Sequence, residues 1–185
     1  MEDGFFNEDA LMLQAAASQK NSYEDVNPYL FKEAIAPHIA AANEGREICF
    51  SECIEHCRPV IDSPADIVVV EGAGGWLVPL NDQKTVADLA EPLGCEIILV
   101  VGLKLGCLNH ALLTVAAIQA SGLKLAGWVA NHLSSDMPYS HENIATLKKK
   151  IAAPLVAEIP FFAAIDTERT AVYIDVPTLL KETES

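Results

Sequence analysis

The sequence predicts an α/β fold, a parallel β-sheet flanked by helices and formed by a single domain over residues 1–185. Three observations predict it. Short, continuous apolar runs rich in Val and Ile recur along the chain, as strands buried on both faces require. Stretches of helical composition alternate with those runs, the order of βαβ units with right-handed crossovers. Ala, Leu, Val and Ile carry an apolar content of 51%, whereas aromatics make up only 6%. That mix suits helices on a sheet better than an aromatic-rich sandwich.

The elements follow in order. Glu8 to Ala17 has helical composition, with Asn7, Glu8 or Asp9 placed to cap its start. Asn21 to Pro37 holds two prolines and several polar residues and reads as a loop. His38 to Arg58 reads as one or two helices interrupted near Gly45, and Asp62-Ser63-Pro64 breaks the chain. The first strand is expected at Ile67–Val70, the second at Ile97–Val101, the third at Leu125–Ala130 and the fourth at Leu155–Ile159. Helices are expected between them at Val86–Leu93, Leu108–Ala120 and Glu142–Ile151.

Charge and length exclude several functions. The formal net charge of −14 repels nucleic-acid phosphates and anionic membranes, which need a basic patch. No run approaches the roughly 20 apolar residues of a bilayer span. The start Met-Glu-Asp-Gly lacks the basic-then-apolar pattern of a secretory signal, so the expected location is cytoplasmic. Cys49, Cys53 and Cys57 recur every four residues and share one helical face, a core pattern rather than the close thiolate pairs of a zinc site.

Ligands of open parallel sheets bind beyond the carboxyl ends of the strands. The four expected strands end at Glu71-Gly72-Ala73-Gly74-Gly75, at Gly102-Leu103-Lys104-Leu105-Gly106, at Asn131 and at Pro160, so the expectation is one polar rim. A carboxylate at Glu71 suits Mg²⁺, a hard cation that shares oxygen ligands with phosphates. The neighbouring glycines let backbone N–H groups approach an anion. A glycine-rich turn beside a solvated glutamate fits the same residues. Gly106-Cys107-Leu108-Asn109 opens a helix, whose free N–H groups and dipole favour an anion. The Asn131 amide suits a base edge or a turn cap. The sequence holds no Gly-Lys dipeptide and so no Walker-type phosphate loop, and its first expected strand comes only near residue 66.

Val-Glu-Gly-Ala-Gly-Gly-Trp at 70–76, Ile-Leu-Val-Val-Gly-Leu-Lys-Leu-Gly-Cys-Leu-Asn-His-Ala at 98–111, Leu-Ala-Gly-Trp-Val-Ala-Asn at 125–131 and Glu-Ile-Pro at 158–160 resemble, in that order, the motifs of dethiobiotin synthetases. Glu8-Asp9-Ala10-Leu11, Val26-Asn27-Pro28-Tyr29 and Pro37-His38-Ile39-Ala40 match upstream. The resemblance implies a P-loop NTPase-like sheet and a homodimeric enzyme of biotin synthesis. Such an enzyme joins CO2 to 7,8-diaminopelargonate with ATP and Mg²⁺ and closes the ureido ring. It implies that Asp9 and Glu71 bind Mg²⁺ and that Glu71, Gly72, Ala73 and Gly74 line the phosphates. Asn131, His132 and the backbone at Pro160, Phe161 and Phe162 would hold adenine; relatives often carry Asp at position 132. Gly106, Cys107, Leu108 and Asn109 would receive the substrate carboxylate across the dimer interface.

The resemblance also marks a departure. The family opens with a strand, a Gly-Lys-Thr loop, a helix and a second strand bearing the catalytic lysine, a unit absent from these residues. The expectation is therefore an N-terminally truncated sequence with no catalytic residue of its own; a non-catalytic dimerising or ligand-holding remnant is the alternative. Sequencing the DNA upstream of Met1 distinguishes them, because a truncated reading frame predicts an in-frame Gly-Lys-Thr loop there.

Overall fold

The computed structural model describes residues 5–164 and 166–183, with only the backbone considered at 181–183. The chain divides into two compact units, one up to Gly94 and one from Cys95. None of the described helices is long and apolar enough to cross a membrane.

In the first unit, α1 (Glu8–Ala16) starts where the Asn7 side chain accepts from the Ala10 N–H at 2.8 Å. The segment read as a loop contains one short helix, α2 (Tyr23–Val26), held by a capping box between Ser22 and Asp25. Two helices follow, α3 (Pro37–Asn43) and α4 (Phe50–Ile61), interrupted around Gly45, whose φ is +66°. Of the three spaced cysteines only Cys53 is buried. It joins Ala41, Ile48 and Leu80 in a small core, and burial pushes its thiol up to about 11. Cys49 precedes the helix, and both it and Cys57 are half-buried.

Residues 67–70 do not form the expected strand. Ile67 and Val69 are exposed, Val69 by 76%. Their β-branched side chains favour a pleated, half-buried surface, but a strand also needs a ladder partner, and none of the described residues supplies one. Glu71 therefore follows an irregular segment rather than a strand end.

The helix α5 (Val86–Leu93) closes this unit, running from a cap at Thr85 to the left-handed Gly94. The Asp88 carboxylate accepts from the Thr85 N–H and hydroxyl, each at 2.8 Å, and from Lys84 Nζ at 3.2 Å. Those bonds, the Thr85 N–H first, hold its pKa below the usual carboxylate value.

The second unit is a run of strand and helix: β1 (Ile97–Leu103), α6 (Cys107–Ala120), β2 (Leu125–His132), α7 (Ser140–Lys150), β3 (Leu155–Ile159), α8 (Thr167–Ala171) and α9 (Val176–Thr183). The three strands pair in parallel in the order β1-β2-β3. Leu99, Val101, Leu103, Trp128 and Ala130 face α6 and α7, meeting Cys107, Ala111, Val115, Ile144 and Leu147 in the main core. On the opposite face Leu179 of α9 packs with Val129, Val156 and Ala157. Ile98 and Val100 of β1 are exposed.

One irregularity fixes the central strand. Trp128 pairs with Leu155 and Val129 with Ala157, so Val156 is an extra residue in the ladder. It lies over Gly127, where an added Cβ would meet Val156 Cγ1 at 2.7 Å. Val156 is buried and stiff about χ1, so it yields little.

Two outcomes follow for stability. Gly127→Ala should destabilise the protein by about 1–3 kcal/mol through overpacking. Adding Val156→Ala should recover part of that loss, a non-additivity that urea unfolding of the single and double variants measures. Asp88→Asn should cost about 0.5–1 kcal/mol at pH 7, the range of an exposed cap. A depressed folded pKa stabilises above the ordinary carboxylate range and loses that contribution as pH falls, so the penalty should shrink below about pH 4 in melts run against pH.

Candidate functional site: the carboxyl rim of the sheet

The parallel register sets what meets at the rim. Gly102 pairs with Asn131 and Asn131 with Ile159, while Leu103 pairs with His132. The carboxyl ends of three strands are therefore level. Pro160, Phe161 and Phe162 continue from β3, and together with Asn131 and His132 they line a cleft of about 350 Å³. These are the residues expected to hold a base, and the fold brings all five together.

His132 is tied down on one side. Its Nε2 lies 3.2 Å from Glu158 Oε1. Glu158 pairs with Ala130, so His132, two residues further on, is its diagonal neighbour on the same face. Phe162 is backed by the Arg169 guanidinium at 4.9 Å and by the Tyr173 ring at 6.3 Å. Asp166, the residue before α8, and Thr170 within it also line the cleft, neither singled out by sequence reasoning. Asp166 caps α8 by accepting from the Arg169 N–H at 3.0 Å. An Asp ahead of a short helix with Glu168 in its first turn was a readable start signal.

The rim also holds the start of α6. Gly106 has φ +92°, which suits glycine, and no side chain caps the helix. The Cys107 N–H already donates to the Lys104 carbonyl at 2.9 Å, and its side chain is buried in the core. Leu108 packs against the same core. Only the N–H groups of Leu108 and Asn109, which as first-turn amides have no intrahelical partner, are left to meet an anion. Lys104 is exposed nearby in sequence.

The remaining expected residues lie in the first unit. Asp9 is exposed in the first turn of α1, and Glu71 is exposed in the irregular segment. Gly72, Ala73 and Gly74 follow in an exposed bend. Gly74 needs its glycine twice over. Its φ is +89°, and a Cβ there would meet Val78 Cγ2 at 2.8 Å. Among the described residues no cluster of three or more His, Cys, Asp or Glu is arranged to hold a metal by itself. Mg²⁺ does not require one, since it keeps several waters and takes one or two carboxylates plus phosphate oxygens. Two exposed carboxylates fit that donor set.

Comparison with known proteins identifies the family. Residues 4–169 match the family model described as an AAA domain. The ATP-dependent dethiobiotin synthetase of Cellvibrio japonicus is 47% identical over 179 residues, 97% of this chain and 78% of that protein. The enzyme of the same name from Aromatoleum aromaticum is 46% identical over 173 residues, 94% of this chain and 76% of that one. That from Yersinia pestis is 48% identical over 164 residues, 89% and 68%. Similarity of this order across nearly the whole chain leaves one assignment: the chain belongs to the dethiobiotin synthetases, ATP-dependent ligases with a P-loop NTPase-like α/β fold.

Proposed function

We propose that the protein serves the carboxylation and ring closure of 7,8-diaminopelargonate to dethiobiotin, with ATP and Mg²⁺. In this reaction an amine of the substrate adds to CO2, losing a proton and forming a carbamate. The γ-phosphoryl group of ATP passes to a carbamate oxygen, releasing ADP. The second amine then attacks the carbamoyl carbon and expels phosphate, closing the cyclic urea.

The cleft at the rim is the observation that best supports this reading. Its volume and lining suit a purine: the Asn131 amide can bond a base edge, and Phe162 offers an aromatic face stiffened by Arg169. His132 and the Pro160–Phe162 backbone complete the base site. The open turn of α6, from Gly106 through Cys107 and Leu108 to Asn109, receives the substrate carboxylate by backbone donation. Leu105 and Leu113 beside it are exposed, which favours a second copy packing there as a homodimer.

In the first unit, Asp9 and Glu71 would hold Mg²⁺, while Gly72, Ala73 and Gly74 would let backbone N–H groups approach phosphates. Bound there, the cation would neutralise charge on phosphate oxygens. The reaction takes place in the cytoplasm.

The phosphoryl step needs donors aimed at the transferring group, and these 185 residues hold no Gly-Lys loop. The chain alone is accordingly a binder rather than a working catalyst. Calorimetric titration should show ATP binding that Asn131→Ala weakens about tenfold, the equivalent of about 1.4 kcal/mol. Glu71→Gln should abolish the Mg²⁺ dependence of that binding and leave its base selectivity intact. Binding indifferent to both substitutions would refute the site. Dethiobiotin formation by the 185 residues at more than background rate would refute the division between binding and catalysis.

A further inference from the structure

We propose that Glu158 fixes the tautomer of His132, and that the pair makes the cleft select a 6-aminopurine over a 6-oxopurine. The inference rests on the reading of this cleft as a base site.

The geometry is set by the ladder. Glu158 stands beside Ala130, and His132 reaches it diagonally, placing Nε2 3.2 Å from Oε1. An ionised carboxylate accepts hydrogen bonds and donates none, so the proton of the neutral imidazole sits on Nε2. Nδ1 then carries a lone pair. No hydrogen bond reaches it from the described residues, and it is not among the buried atoms that lack a partner. It is therefore open to solvent on a residue that lines the cleft.

A purine with an amino group at position 6 presents N–H donors, which a bare Nδ1 accepts. A purine with an oxygen there presents lone pairs, which Nδ1 repels. The other groups in the cleft do not discriminate in this way. The Asn131 amide can turn either its oxygen or its nitrogen to the ligand and so adapts to both bases. Phe162, backed by Arg169, stacks on any purine face. A histidine free of Glu158 would adapt too, by moving its proton to Nδ1. The carboxylate removes that freedom, so the choice falls to the pair. Glu158 is the positioning residue, and His132 is the one that meets the base.

Adenosine and inosine triphosphates test this, because they differ at position 6 and in the proton that hypoxanthine carries on N1. The 185-residue chain is titrated with each at pH 8, above the ordinary imidazole range. The histidine tautomer is followed by long-range ¹⁵N–¹H NMR. The expected results are a neutral His132 protonated at Nε2 and a clear preference for the adenosine nucleotide. Glu158→Gln, whose amide can face His132 with either end, should mix the tautomers and lower the affinity ratio about tenfold. A wild-type His132 protonated at Nδ1 overturns the proposal, and this measurement stands even if the variant does not fold. So does an affinity ratio unchanged in a folded Glu158→Gln. If adenosine triphosphate moves the Asn131 and His132 signals while the ratio is unchanged, only the selectivity fails. If neither nucleotide moves them, the base site itself fails, and this inference with it.

Discussion

The alignment of three parallel strands is the constraint on which the rest of the second unit depends. Because β1, β2 and β3 run the same way and stop level, the residues just past their ends share one rim. Asn131, His132 and the Pro160–Phe162 segment meet there despite lying some 30 positions apart in sequence. Had any strand slipped by one residue, its inward and outward side chains would have exchanged faces. The extra residue Val156 shows how closely that is controlled, since it is accommodated only because position 127 has no side chain to oppose it.

The two faces of β2 do different work. The one carrying Trp128 and Ala130 buries against α6 and α7 and leads up to His132, so the pair with Glu158 is built on the face that carries the main core. The other face, with Val129, leads up to Asn131 and is covered by Leu179. A side chain from each face thus arrives at the same cleft. One is held by a carboxylate within hydrogen-bond reach, and the other can present either end of its amide, which suits a site that must both grip and choose.

The elements of the second unit are legible in the sequence because each is reported by a strong local signal. Ile97–Val101, Leu125–Ala130 and Leu155–Ile159 are unbroken apolar runs ended by Gly, Asn or Pro, and the strands form there to within two residues at either end. The α/β class and the parallel sheet follow from their alternation with helices. The run at 67–70 carries the same local signal and forms no strand, because β-propensity describes a surface awaiting a partner and says nothing of whether one is present. Helices α2, α8 and α9 escape notice for the opposite reason: α2 and α8 are only four and five residues long and rest on caps rather than on periodicity. In the site, the residues proposed to hold a base stand out through motif resemblance, and Glu158 falls inside one of those motifs without its pairing to His132 being legible. Its importance depends on a diagonal contact across two strands, a relation that no spacing along one chain reveals.

The outer margin of β1 has a consequence for how the protein behaves in bulk. In the described sheet β1 lies at the side, with Ile98 and Val100 bare and without the prolines or inward lysines that commonly guard such a border. What holds neighbouring molecules apart is mutual repulsion from the surplus of acidic groups. That repulsion disappears near pH 4.6, the isoelectric point. Near that pH the unguarded margin is where one molecule's backbone would find another's, so association should be greatest there.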